Sequence, residues 1–261
     1  MLIDGHAVAQ AVAAQTEQLL QVQQRPPRAL ILSCAPNAVT QRYLAMKEQR
    51  AAALGIELRV HVLPDSATTA ELVADVTAAH ESTDAIVVQL PLPEHIDRSA
   101  VLTAIAPSHD VDALGAAPVF LSPVVGAIQA MVEQYRIPVS DQRVVVIGAG
   151  RLVGAPAARW FREQGARVTV VTEATPDLTM LRDADIVVAG AGTPGLVTPT
   201  MVRPGVVIFD AGTSGSHGAL RGDVDPACAA VAAYMTPVPG GVGPVTIEVL
   251  LQHIARAAST G

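Results

Sequence analysis

The chain has 261 residues, of which 50% are hydrophobic but only 3% aromatic, so we expect one large domain or two modest ones with an aliphatic core. Its formal net charge of −7 argues against nucleic acid or an anionic membrane as partners, because both need clustered Lys and Arg. No stretch approaches the roughly 18 apolar residues of a membrane span, the start lacks a signal-peptide pattern, and two cysteines make no disulfide or metal framework, so we expect a cytoplasmic protein without a metal site.

In the first half of the chain, helical and strand patterns alternate. Apolar residues recur at helical spacing from residue 6 to residue 24, and Pro26 and Pro27 end that helix. Further strands are predicted over 29–32, 56–63 and 85–88, and further helices over 43–54 and 69–81. This order requires right-handed crossovers and a mostly parallel sheet.

The second half repeats this theme, beginning with a fully apolar strand at 144–147. A helix through Trp160 follows it, and an amphipathic helix over 247–258 closes the chain and is expected to pack on the first half. Other strands are predicted over 167–171, 186–188 and 206–209. The predicted fold class is α/β with two lobes and a cleft between them, one formed by residues 1–120 with 247–261 and one, of Rossmann type, by residues 121–246.

A glycine-rich turn joins the strand at 144–147 to the next helix. Gly148, Gly150 and Gly154 follow the pattern G-x-G-x-x-x-G, which lets a backbone approach a pyrophosphate at a helix N-terminus. Gly190 and Gly192 follow the next strand but one, and glycine-dense strand ends in a parallel sheet form the crevice for a dinucleotide. The simpler interpretation is a tight strand-to-helix turn.

Glu173 lies just after the strand at 167–171, 25 positions beyond Gly148. A carboxylate there can accept hydrogen bonds from the adenosine ribose and would repel a 2′-phosphate, which favours NAD over NADP. A solvated loop residue is the alternative, and Arg151 or Arg167 could still meet a phosphate.

Other residues point to chemistry at the end of the first sheet. Tyr43 and Lys47 are four apart on a predicted helix and therefore share a face. Gln89 directly follows a strand, where α/β proteins form their sites. The chain resembles the bifunctional methylenetetrahydrofolate dehydrogenase/methenyltetrahydrofolate cyclohydrolase family over nearly its whole length. The segments that carry the resemblance are Tyr43-x-x-x-Lys47, Val88–Pro93, Gly222–Asp225 and Thr236–Pro244.

The resemblance implies a homodimer with a folate-binding first lobe and an NAD(P)-binding second lobe. The family oxidises 5,10-methylenetetrahydrofolate with NAD(P)+ and hydrolyses the methenyl product to 10-formyltetrahydrofolate. The resemblance further implies that Lys47 is the catalytic lysine and that Gln89 positions it. It also implies that Tyr43 lies against the folate and that Asp112 binds the pterin edge. Pro239 and Gly240 are also assigned to substrate binding. The residues assigned to cofactor binding are Gly148, Gly150, Arg151, Gly154, Glu173, Gly192, Gly243 and Thr246.

Physical chemistry supports these implied roles. A carboxylate matches the paired N–H groups of an amino-pyrimidine edge. Hydride transfer needs mainly positioning, whereas hydrolysis needs a proton shuttle, which Lys47 supplies if its surroundings lower its pKa toward neutrality.

The sequence also departs from the family pattern. His109 and Ala113 stand where the family usually has Lys and Gly, and the loop after Asp112 is shorter, with Ser122–Val125 in place of the usual segment. Two alternatives therefore stay open: a dehydrogenase without hydrolase activity or with another substrate, and a non-catalytic folate- or nucleotide-binding protein. His61 and His95 have no partners at metal-ligand spacing.

Overall fold

The computed structural model describes residues 1–174, 177–212, 214–216 and 219–259. The chain forms two compact units. Unit I comprises Val12–Pro123 and the residues from Ile247 onward, and unit II comprises Met1–Ala11 and Val124–Thr246.

Unit I is built on a parallel sheet. Among the described residues, β1 (Arg28–Cys34), β2 (Glu57–Leu63) and β3 (Ala85–Gln89) form this sheet in the order β2-β1-β3. Its helices are α1 (Gly5–Gln21), which begins in unit II, then α2 (Ala38–Ala53), α3 (Thr69–Ala79) and α4 (Arg98–Thr103). The parallel arrangement predicted from the order of elements is confirmed.

Both faces of this sheet are buried along β1 and β3. Successive side chains of a strand point to opposite faces, so Leu30 and Leu32 of β1 join a core cluster with α3 and α4. Ile31, between them, joins the cluster with α2 and the chain's last helix. The carboxyl ends of β1 and β3 are thereby fixed between two helical layers.

Unit II contains a larger parallel sheet. Its described strands are β4 (Arg143–Ile147), β5 (Arg167–Val171), β6 (Ile186–Ala189), β7 (Val207–Asp210) and β10 (Tyr234–Met235), in the order β10-β7-β6-β4-β5. A short antiparallel pair, β8 (Ser214–Ser216) and β9 (Ala219–Arg221), lies outside this sheet. The helices are α5 (Pro123–Gln134), α6 (Gly154–Glu163) and α7 (Val242–Ala258), and α7 continues into unit I.

The structure differs from the predicted division at the amino terminus. Residues 1–11 lie in unit II, whereas the sequence placed them with residues 12–120. The physical reason is long-range pairing, because the Ile3 amide donates to the Met235 carbonyl at 2.8 Å and Leu2 forms a parallel bridge with Met235. The other boundary, between Pro123 and Val124, lies within three residues of the predicted one.

Two helices also differ from expectation. The boundary between the lobes is expected around 115–140 and no helix is predicted there, but α5 begins at Pro123. The final helix was predicted from residue 247, but α7 begins at Val242 and includes Pro244 in its first turn. Both starts are compatible with proline, since the first helical turn has no intrahelical use for its N–H groups.

No described helix combines the length and apolarity that a membrane span requires. Within the described ranges, no place gathers three or more His, Cys, Asp or Glu side chains that could hold a metal ion.

Candidate active site

Lys47 and Gln89 meet in unit I. The Lys47 Nζ donates to the Gln89 Oε1 at 2.9 Å, and the Gln89 Nε2 donates to the Leu90 carbonyl at 2.8 Å. The second bond fixes which way the Gln89 amide points, so its oxygen faces the amine. The predicted pairing of a helix lysine with a strand-end amide is therefore present in the structure.

The helix that carries Lys47 has defined ends. The Asn37 side chain caps its start by accepting from the Thr40 amide at 2.9 Å, and Gly55 follows its end in the left-handed region at φ 73°. Tyr43 lies one turn before Lys47, is half-buried, and its pKa is raised by burial. The two side chains thus share a partly buried face.

The electrostatics of Lys47 depend on burial and on Asp112. Burial lowers the pKa of Lys47, and the negative charge of Asp112 opposes this effect. Burial raises the pKa of Asp112, Lys47 opposes that rise, and Asp110 adds to it. The amine and the carboxylate are therefore near enough to influence one another in a poorly solvated environment.

The loop that carries Asp112 is held from three directions. The buried Asp110 carboxylate accepts from the Leu114 amide at 3.1 Å and the Gly115 amide at 2.7 Å. The Ile86 amide of β3 donates to the His109 carbonyl at 2.9 Å. From α7, the His253 Nδ1 donates to the Val111 carbonyl at 3.0 Å. Sequence reasoning missed His253, because it lies among apolar residues of an amphipathic helix.

Ala113 and His109 are the two departures from the family pattern in this loop. Ala113 has φ 56°, so it adopts the left-handed conformation that a glycine adopts without strain. The His109 Nε2 donates to the Thr83 carbonyl at 3.1 Å, and its ring lies 5.1 Å from that of His80. His109 is thus engaged in packing within unit I.

The glycine turn of unit II lies between β4 and α6, as predicted. Gly148 has φ 95°, and a Cβ on Gly154 would overlap the Gly148 carbonyl oxygen. A Cβ on Gly150 would meet nothing within 4 Å. Val153, the residue before α6, makes no side-chain capping bond. The turn therefore combines a tight helix approach at Gly154 with open space over Gly150.

Other predicted cofactor residues lie around the same sheet. Arg151 and Glu173 are exposed, with Glu173 two residues beyond the end of β5. Gly192 has φ 73° and follows β6. Gly243 is exposed in the first turn of α7, and the Thr246 hydroxyl donates to the Val242 carbonyl at 3.0 Å.

Pro239 and Gly240, predicted to bind substrate, lie in unit II. Gly240 has φ 95°, and its carbonyl accepts from the Gly5 amide at 3.1 Å. A Cβ on Gly5 would overlap the Gly240 and Gly241 carbonyls. The amino-terminal segment is therefore packed tightly against this turn.

Two family models match the chain: the catalytic domain of tetrahydrofolate dehydrogenase/cyclohydrolase over residues 3–112, and its NAD(P)-binding domain over residues 123–261. The chain belongs to the tetrahydrofolate dehydrogenase/cyclohydrolase family. Residues 113–122, which begin with Ala113, fall between the two matched ranges.

Relatives within the family span essentially the whole chain. The bifunctional protein FolD of Exiguobacterium sibiricum is 35% identical over 274 residues, covering 99% of each chain. The FolD structure from Campylobacter jejuni has a TM-score of 0.95 at 30% identity, covering 100% of this chain and 99% of that one. The Trypanosoma brucei FolD structure, complexed with NADP and an inhibitor, has a TM-score of 0.93 at 34% identity, covering 100% and 97%.

Proposed function

We propose that this protein oxidises 5,10-methylenetetrahydrofolate to 5,10-methenyltetrahydrofolate with NAD(P)+ and hydrolyses the product to 10-formyltetrahydrofolate. The observation that carries the proposal is the 2.9 Å bond from the Lys47 amine to Gln89 in a poorly solvated setting. A chain that only bound folate or nucleotide would gain nothing from such an amine.

Lys47 is proposed as the proton shuttle of hydrolysis. Because burial lowers the pKa of Lys47, more of the amine is neutral near pH 7 than for an exposed lysine. A neutral amine can take a proton from the water that adds to the methenyl carbon and return it as the ring opens. Gln89 holds the amine in place, since the orientation of its own amide is fixed.

Asp112 and Tyr43 are proposed to bind the folate. The Asp112 carboxylate would accept two parallel hydrogen bonds from the amino-pyrimidine edge of the pterin. Tyr43 offers a partly buried aromatic ring one helical turn from Lys47. Pro239 and Gly240 are also proposed to bind the substrate. The pinned loop around Asp112 supports a binding role, because rigid positioning reduces the entropy lost on binding.

The residues of unit II fit a dinucleotide. The space over Gly150 and the close packing at Gly154 leave the backbone accessible before an uncapped helix start, which suits a pyrophosphate. When bound, NAD(P)+ supplies the hydride acceptor. We propose that Gly148, Gly150, Arg151, Gly154, Glu173, Gly192, Gly243 and Thr246 contact it.

We also propose that Glu173 favours NAD over NADP, because its exposed carboxylate follows β5 where a ribose 2′-substituent would lie.

The family resemblance supports a homodimer acting in the cytoplasm. Sedimentation of the purified chain at several concentrations tests the dimer.

The decisive experiment is steady-state turnover of 5,10-methylenetetrahydrofolate with NAD+ and NADP+ in parallel, with hydrolysis of the methenyl product assayed separately. Turnover of both steps is expected, with NAD+ preferred. Oxidation without hydrolysis would support the dehydrogenase-only alternative, and neither activity would support the binding-protein alternative. Equal or better use of NADP+ would remove the role proposed for Glu173.

Lys47→Met tests the proposed role of the amine. This variant keeps a similar side-chain volume but removes the proton carrier, so we expect hydrolysis to fall at least about 100-fold while NAD(P)H binding is unchanged. Glu48→Met, at an exposed position on the same helix, is the matched control and should retain both activities. Unchanged hydrolysis in Lys47→Met would exclude Lys47 from the mechanism.

A further inference from the structure

Two buried aspartates of unit II have no part in the function described so far. Asp210 ends β7 and is 2% exposed, and Asp223 follows β9 and is 0% exposed. A buried carboxylate is costly unless hydrogen bonds compensate its charge. Their hydrogen bonds therefore indicate what they do.

Asp223 holds the turn after β6. Its Oδ2 accepts from two consecutive amides, Ala191 at 2.6 Å and Gly192 at 2.9 Å. A backbone hydrogen bond also holds Asp223 next to the segment that follows this turn, because the Val197 amide donates to the Asp223 carbonyl at 3.0 Å. Hydrogen bonds from amides to a carboxylate are stronger than those between neutral groups.

Asp210 holds Asp223 in turn. The Asp210 Oδ1 accepts from the Asp223 amide at 3.1 Å, and its Oδ2 accepts from the Val224 amide at 3.0 Å. The Asp210 amide donates to the buried Thr236 hydroxyl at 2.7 Å. The order of support thus runs from Asp210 to Asp223 and on to the turn at Ala191–Gly192.

The two carboxylates pack against glycines, where any larger residue would overlap them. A Cβ on Gly212 would overlap the Asp223 carboxylate, and a Cβ on Gly222 would overlap that of Asp210. The segments Asp210-Ala211-Gly212 and Gly222-Asp223 therefore act together, each aspartate packing on the other segment's glycine.

The supported turn touches the glycine turn. A Cβ on Gly148 would lie 2.6 Å from the Gly190 carbonyl oxygen and 3.2 Å from the Ala191 amide nitrogen. A Cβ on Gly190 would meet Val153, immediately before α6, at 2.6 Å. A shift of Ala191 would therefore disturb Gly148 and the start of α6.

We infer that Asp223 is a positioning residue for the dinucleotide: its carboxylate fixes the Gly190–Gly192 turn against the Gly148 turn, and Asp210 fixes Asp223. This inference rests on the proposed function, since it assigns the dinucleotide to these turns. Asp223 acts through backbone that it holds and is not itself assigned a contact with the cofactor.

Asp223→Ala tests this inference. With the two amides released, we expect the Kd for NADH and NADPH to rise at least about tenfold, and the KM for the folate substrate to stay within about twofold. A general loss of structure would raise both. The same Kd in Asp223→Ala as in the unsubstituted chain would overturn the inference.

The matched control is Asp185→Ala, at the opposite end of β6. Asp185 accepts from the Arg143 amide at 2.8 Å and pairs with Arg203 at 3.0 Å, so its loss also costs stability but lies at the amino ends of the strands. Its Kd for NADH should stay within about twofold of the unsubstituted chain. An equal rise in both variants would mean that Asp223 has only a structural role.

Asp223→Asn keeps the test sharp if Asp223→Ala does not fold. The Asn carbonyl oxygen can accept from both amides, so we expect Kd within about threefold of the unsubstituted chain. A folded Asp223→Asn whose Kd rises at least about tenfold above that of the unsubstituted chain would overturn positioning by these two hydrogen bonds. Failure of the proposed function shows differently, as absence of NAD(P)H binding by the unsubstituted chain.

Discussion

Lys47 is the one lysine among 261 residues, although the chain has 17 Lys and Arg together. Only this side chain and the terminal amine therefore react with amine-selective reagents. The pKa of Lys47 can be read directly from such a reaction, without any assumption about the catalysed step. This separates the chemistry of the residue from that of the substrate.

We expect amine labelling of Lys47 to titrate below the ordinary lysine range, because burial lowers its pKa. Asp112→Asn should lower the pKa of Lys47 further, since the Asp112 charge favours the protonated amine. The measurement is the pH profile of labelling at Lys47, followed by peptide mass spectrometry. Lys47→Met, which leaves only the terminal amine, is the control, and an unshifted profile would contradict the burial argument.

Ala113 raises a second question at the scale of one residue. Its left-handed φ of 56° costs a non-glycine residue roughly 1–2 kcal/mol, whereas glycine costs more entropy in the unfolded chain. We expect Ala113→Gly to increase the free energy of unfolding by up to about 1 kcal/mol. Ala116→Gly, at an exposed position with φ outside the left-handed region, should instead lose about 0.5–1 kcal/mol. Chemical unfolding of both variants measures these changes in the free energy of unfolding. Equal losses in the two variants would refute backbone strain at Ala113.

At the scale of elements, the sequence is most informative where the pattern of a strand is local. The buried run Val144–Ile147 predicted β4, and residues 167–171 predicted the edge strand β5 with the bounds that the structure has. It is least informative where a partner is distant. Nothing local in Met1–Gly5 shows that Ile3 pairs with Met235, and the short β10 has too few residues for a pattern.

The candidate site follows the same rule. Helix spacing places Tyr43 and Lys47 on one face, but the pairing of Lys47 with Gln89 comes from the family resemblance and not from any local pattern. Asp223 could not be assigned a role, since its acceptor function depends on two amides more than thirty positions away. His253 lies on a face that is apolar by pattern, so only the fold shows that it binds Val111.

The pair Arg50–Glu248 joins α2, which carries Lys47, to α7. The Arg50 Nε and Nη2 donate to the two Glu248 oxygens at 2.6 and 3.2 Å, with side-chain exposures of 40% and 7%. Losing the exposed partner leaves a buried charge unpaired, which costs more than the reverse. This asymmetry gives the pair a testable signature.

We expect Arg50→Ala to lower the free energy of unfolding by about 2–3 kcal/mol and Glu248→Ala by about 1 kcal/mol. In the double variant the loss should be smaller than the sum, with a coupling of about 1 kcal/mol. Chemical unfolding of the four chains measures this. Additive losses would show that the contact does not stabilise the packing of α2 on α7. A larger loss in Glu248→Ala than in Arg50→Ala would contradict the asymmetry.

For the whole molecule, burial shifts the pKa of one histidine in unit I and of one aspartate in unit II in opposite directions. In unit I, burial lowers the pKa of His253 to about 4, with Arg256 adding to the effect and the Val111 carbonyl opposing it. In unit II, burial raises the pKa of Asp210 to about 6, with Asp223 adding to the effect. Each shift links folding stability to pH.

The signs follow from proton uptake. Unfolded His binds a proton near pH 6.5 but folded His253 only near 4, so its stabilising effect is complete above about 6.5 and is lost as pH falls toward 4. Folded Asp210 binds a proton near 6, but unfolded Asp only near 3.8. Its contribution is therefore complete below 3.8 and is lost as pH rises through 6.

Unfolding by denaturant at pH 7 and pH 5 separates these two effects. Relative to His253→Gln, whose amide can still donate to Val111, the unsubstituted chain should lose about 2 kcal/mol between pH 7 and pH 5. Relative to Asp210→Asn it should gain about 1 kcal/mol over the same interval. The sequence has one tryptophan, Trp160, buried in α6 of unit II. Its fluorescence therefore reports the unfolding of unit II, which contains Asp210, while circular dichroism reports the unfolding of both units. If the free energy of unfolding depends on pH equally in all three chains, neither group titrates with a shifted pKa. Differences of opposite sign relative to the two variants would mean that acid destabilises the chain through His253 and stabilises it through Asp210.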